Sequence, residues 1–192
     1  MAGSSCRAAA LVCCVVAAIG CAKGSGEGQV SGLVGAPDCA LDAREYDLNP
    51  TFFSMEPSFS VEIIDITVQR GSDGRPFSDY LSVFIRDPET LKETMLGEEI
   101  ELGGLAAPIE MTIALNATCP GVSRIPVVYG AVSGTIRFEE LFVPWIDNDT
   151  QETRAVFTDV VFVDQQDAEE RRAEMSGFFS FLFERGLPVQ PF

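Results

Sequence analysis

Carboxylates supply most of the candidate chemistry in this chain. Its 192 residues hold 29 Asp plus Glu, 13 Lys plus Arg and no His. Without an imidazole there is no Ser-His-Asp triad and no Cys-His pair. Histidine-held zinc, copper or iron and histidine-ligated haem are excluded with them. What is left is oxygen chemistry: a hard cation held by acids, or hydrolysis by two carboxyl groups. Asp147-Asn148-Asp149-Thr150 with Glu152 sets oxygen donors at alternate positions of an expected loop, and calcium wants six to eight such donors. The spacing lacks the glycine and glutamate of a calcium-binding hand, and a polar turn between strands has the same composition. Acid pairs for hydrolysis are Glu98-Glu99 with Glu101, Glu139-Glu140, and Asp159 with Asp164. Adjacent acids on a strand point to opposite faces, so Glu98-Glu99 and Glu139-Glu140 form no paired site alone. Alternation places Asp159 with Phe157 and Val161, where a buried acid needs a partner such as Arg137 or Arg154. An internal ion pair or a bulge explains Asp159 more simply than catalysis does.

Aromatic residues offer a second kind of chemistry. Trp145, the only tryptophan, follows Pro144 beside the acidic loop and suits stacking on a sugar or a protein partner; packing under the loop is the plainer role. Phe52 and Phe53, with Phe59, form an aromatic loop between Pro50 and Pro57 with the same potential. Phosphate cradles are absent, since no Gly-x-Gly-x-x-Gly precedes a helix and no Gly-Lys-Ser/Thr occurs. A formal charge of -16 argues against nucleic acid, whose phosphates need clustered Lys and Arg.

These residues must be positioned by strands. Period-two alternation recurs along the chain. Ile64, Ile66 and Val68 share a face, as do Leu81, Val83 and Ile85. Ile109, Met111, Ile113 and Leu115 alternate with Glu110, Thr112, Ala114 and Asn116, the pattern of a strand with one wet face. Residues 131–142 form another strand, interrupted by Gly134. Val160-Val161-Phe162-Val163 and Phe179, Phe181, Phe183 mark two dense strands expected to be covered on both faces. Residues 29–34 read as an edge strand. One helix is predicted: Asp87 caps it, Pro88 opens it, Glu89 favours its first turn and Gly97 stops it. The fold class is mainly β, a single antiparallel β-sandwich or partly closed β-barrel of six or seven strands with one short helix. A membrane-spanning barrel fits less well, because Pro188 and Pro191 spoil the last strand.

The N-terminus reads as an address. Arg7 precedes an apolar run over residues 8–19, about 18 Å of helix against the roughly 30 Å hydrocarbon core. Such a run reads as the apolar segment of a signal peptide over residues 1–20. Ala18-Ile19-Gly20-Cys21 resembles the lipobox of bacterial lipoproteins, with alanine where leucine is usual. The resemblance implies that Cys21 carries lipid and begins the mature chain. Two or three acyl chains anchor a protein firmly, at about 0.8 kcal/mol per buried methylene. Residues 21–29 then form a flexible tether spanning about 16 Å, and residues 30–192 the β-rich domain. Segments such as 46–53, 131–136 and 185–192 look like uncharacterised lipoproteins of myxobacteria and related lineages, a group that implies no activity.

Cysteine usage agrees with export. Cys6, Cys13 and Cys14 belong to the leader and Cys21 to the anchor, which leaves Cys39 and Cys119 as one potential disulfide. The expected function is therefore that of a lipid-anchored protein of the bacterial cell envelope, placed at the outer membrane, with a non-enzymatic domain that binds or scaffolds. Its expected partners are the membrane and an envelope protein or glycan, with no nucleic acid. No cofactor is required, calcium at Asp147, Asp149 and Glu152 being the one candidate. Two rivals are a small-ligand module, with an apolar ligand in a barrel cavity or a calcium-assisted sugar site, and a carboxylate-based hydrolase.

Overall fold

The computed structural model describes residues 22–71, 75–104, 106–119, 127–148, 151–164 and 171–183. The leader, Cys21, Asp149 and the 188–192 tail lie outside the described residues. The strands are β1 (Ala22–Ala36), β2 (Leu41–Leu48), β3 (Phe52–Ser58), β4 (Ile63–Gln69), β5 (Asp79–Ile85), β6 (Ile100–Glu101), β7 (Ile109–Leu115), β8 (Val128–Glu140), β9 (Glu152–Val163) and β10 (Arg172–Leu182). One helix, α1 (Pro88–Thr94), lies between β5 and β6. Its cap is as expected: the Asp87 carboxylate accepts the Thr90 amide at 3.0 Å.

All pairings are antiparallel, in the order β10-β9-β8-β7-β5-β4-β3-β1-β2, and β1 pairs β10 as well. One edge of β1 thus meets β10 over Ser25–Gly35, while the other meets β3 and then β2. The sheet curls back on itself as a partly closed barrel. Among the described residues, Ala22–Gly24 pairs with Phe53–Met55, and Thr112–Ala114 with Val128–Gly130, where the Leu115 amide also donates to the Val127 carbonyl.

Alternation decides which side chains fill the interior. Val30 and Val34 of β1, Phe53 and Met55 of β3, Ile64, Ile66 and Val68 of β4, and Leu81, Val83 and Ile85 of β5 are buried. Ile109, Met111 and Ile113 join them from β7, with Ile136, Phe138, Phe157, Phe179 and Phe181 from the last strands. Exposed Glu27, Glu45, Glu110 and Glu174 stud the outer wall. An apolar inside and a charged outside invert the pattern of a membrane-spanning barrel.

Several expectations need correction. Residues 22–29, expected as a tether, are the first half of β1, and β1 is paired on both edges rather than lying at the sheet's rim. Phe52 and Phe53 are not in a loop; they open β3 and are buried. Pro57 lies within that strand, in register with Ile64 of β4. The last two strands are covered on one face only, since Phe178 and Leu182 are exposed. Gly134 stands at a register shift between β8 and β9 with φ near +107°, and an added Cβ there would lie 2.5 Å from the Val160 Cα.

Candidate functional site

The barrel has two ends, each closed by a polar centre. At the end opposite Ala22, Asp79 opens β5 on the same face as Leu81 and Val83 and is wholly buried. Its carboxylate accepts the Tyr46 hydroxyl at 3.0 Å and the Ala117 and Thr118 amides at 2.8 and 3.0 Å, and the Thr118 hydroxyl bonds it too. Burial, and next the Asp79 carboxylate, push the Tyr46 phenol well above its usual range. Close by, Cys39 and Cys119 are paired at a Cα–Cα distance of 5.4 Å, which ties the β1–β2 hairpin to the segment after β7. The signal that marks Asp79 is its place in the alternation 79-81-83-85.

At the other end, α1 meets the turn after β8. Lys92 reaches both Asp147 carboxylate oxygens at 2.6 Å, the Leu141 carbonyl at 2.9 Å and Gln151 at 3.1 Å. Asp147 Oδ2 also accepts the Val143 amide at 2.7 Å, while the Val143 carbonyl accepts the Asp147 amide at 2.9 Å. The aspartate expected to hold calcium thus folds its own turn and neutralises a lysine. Glu152 stands on β9 and accepts the Ser180 hydroxyl. No group of three potential metal ligands occurs among the described residues, and Asp149, the middle member of the expected set, lies outside them.

Trp145 sits in the same turn, half-buried against the core, with Phe59 edge-on at 5.6 Å. Phe59 belongs to the turn between β3 and β4. Phe59 and Val61 are each 61% exposed and Ile146 is 41% exposed. Two turns from distant parts of the chain therefore present one small apolar rim. It lies at the end where β1 begins, since Ala22 pairs with Met55 and β3 runs on from there to Ser58.

The acid pairs resolve individually. Asp159 is exposed, with φ near +50°, where a register shift separates Phe157 from Val160 on the inner face. Its predicted burial fails because the bulge inserts a residue. Asp164 pairs with Arg171 at 2.8 Å. Arg154 bridges Glu139 and Glu140 at 3.0 and 2.7 Å, because a register shift after Phe138 overrides strict alternation there. Glu98, Glu99 and Glu101 are all exposed near α1.

Inside the barrel the phenylalanines pack on each other. Phe53 stacks on Phe181 at 5.8 Å, Phe138 meets Phe179 edge-on at 6.3 Å, and Phe142 stacks on Phe183 at 5.1 Å. On the outer wall a groove of about 300 Å³ lies around Leu33, Asp159, Val161 and Glu174.

Comparison with protein-family models, with curated proteins and with solved structures yields no match to this chain.

Proposed function

We propose that this chain is a lipid-anchored protein of a bacterial cell envelope, at the outer membrane, whose barrel binds or scaffolds another envelope component and performs no chemistry of its own. The observation that carries the reading is a juxtaposition. The Ala18-Ile19-Gly20-Cys21 segment, which resembles a lipobox, runs straight into β1 at Ala22. Removal of a leader that ends there would leave the folded domain whole. The Cys39–Cys119 pair supports an oxidising compartment.

Support for a binding role comes from how the acids are used. Asp79, Asp147 and Asp164 each answer a donor or a cation that holds the fold. The interior is given to stacked phenylalanines. Recognition then falls to the outer wall and the rims.

The test is metabolic labelling with a fatty acid in a bacterial host, followed by membrane fractionation. Wild-type protein should carry label and sediment with membranes. Cys21→Ala should lose both. An unlabelled wild type, or a variant that stays on the membrane, refutes the anchor. In-cell crosslinking of the acylated protein would then capture its envelope partner.

A further inference from the structure

The geometry points to a second membrane contact: the apolar rim made by Phe59, Val61, Trp145 and Ile146 seats in the bilayer that holds the acylated Cys21. This inference rests on the lipid-anchor reading and adds to it which face of the barrel the membrane covers.

Residues 22–24, the start of the expected tether, are instead paired with Phe53–Met55 in β1. Cys21 is therefore one residue from folded structure, and a residue spans at most about 3.6 Å. β3 continues three residues past Met55, from Glu56 to Ser58, toward the same end. At about 3.3 Å per residue, its tip extends about 10 Å beyond the level of Ala22. Apolar faces of interfacial segments sink about 5–10 Å into the headgroup boundary. A barrel held this closely by its first strand brings the Phe59 turn to that depth.

The tip also carries side chains suited to a bilayer. Phe59 and Val61 stand exposed on one turn and Ile146 on the neighbouring turn, joined by the Phe59–Trp145 contact. An exposed phenylalanine and branched aliphatics at one end of a chain with a formal charge of -16 are costly in water and suited to a bilayer interface. Exposed Glu56 and Glu62 flank the tip, so the matching surface is zwitterionic rather than anionic.

Trp145, as the sole tryptophan, reports on this contact directly. Mature acylated protein, beginning at Cys21, is reconstituted into phosphatidylcholine vesicles with or without bromine on the acyl chains. Bromine should reduce the emission severalfold. Replacing part of the phosphatidylcholine with phosphatidylglycerol should weaken that quenching. The double variant Phe59→Ser, Val61→Ser should still float with the vesicles and recover most of the emission. Unquenched wild-type emission on floating protein overturns the rim contact and leaves the anchor standing. Emission that depends on protein concentration and not on bromine assigns the rim to a second copy, and likewise overturns the proposal. Protein that fails to float removes the anchor reading and this inference with it.

Discussion

Replacing Tyr46 with phenylalanine removes one oxygen from the buried centre around Asp79 and should change how stability depends on pH. The lost bond runs from the Tyr46 hydroxyl to a fully buried carboxylate. Hydrogen bonds to charged groups contribute about 1.5–3 kcal/mol, and Asp79 keeps the Ala117 and Thr118 donors, so a cost of about 2 kcal/mol at pH 7 is expected. The phenol of Tyr46 is raised above its ordinary value of 10, by burial and then by Asp79. The folded protein therefore keeps this proton where the unfolded chain releases it. The stabilisation is complete below about pH 10 and declines above it, by about 1.4 kcal/mol per pH unit. The phenyl ring of the variant has no proton to lose, and Tyr80 and Tyr129 are common to both proteins. The gap of about 2 kcal/mol should thus close to well under 1 kcal/mol by about pH 11. Denaturant titrations at about pH 7, 9, 10 and 11, with the disulfide intact, measure it. A gap that stays constant across that range refutes the buried-phenol argument. A gap near zero at neutral pH refutes the strength assigned to the bond.

Lys92→Met should destabilise by about 3 kcal/mol, because it leaves the Asp147 carboxylate, 9% exposed, without its lysine cation. Adding Asp147→Asn should recover part of that loss in thermal melts, and no recovery would mean that the lysine stem, not its charge, matters. The double variant Cys39→Ser, Cys119→Ser should lose about 4–5 kcal/mol, since the pair closes a separation of 80 residues. Reductant should lower the wild-type denaturation midpoint and leave the variant's unchanged; an insensitive wild type would count against the bond.

Much of the barrel was legible because its strands obey alternation cleanly. Ile109 to Leu115 and Leu81 to Ile85 read as strands, and their inward faces are the ones the pattern gives. The Asp87 cap identified α1 for the same reason: capping is local chemistry. What escaped was set by long-range pairing. Ala22 to Gln29 are mostly small or polar and look like linker, yet β10 and β3 supply partners on either edge. Phe52 to Ser58 carries a proline that disguises a strand, yet β4 pairs with it along its whole length. Bulges also hid the acids. A one-residue shift moves Asp159 outward and lets Arg154 hold both Glu139 and Glu140, and nothing in local composition announces it. Of the candidate site residues, Cys39 and Cys119 come together and Trp145 reaches the rim. Asp147 escaped for a plain reason: its partner, Lys92, lies on a distant helix.

The pairing of β1 with β10 carries a consequence for biogenesis. Along that edge Ser25 is matched to Leu182 and Val30 to Gly177, so the first strand synthesised must wait for the last. Until residue 172 has emerged, one flank of β1 is a bare row of amides and carbonyls, an invitation to mispairing with other chains. Contacts this distant in sequence make folding slow, on the order of milliseconds to seconds. A nascent chain of this kind stays threadable for almost its whole length, and a truncation near its end should be as damaging as one near its beginning.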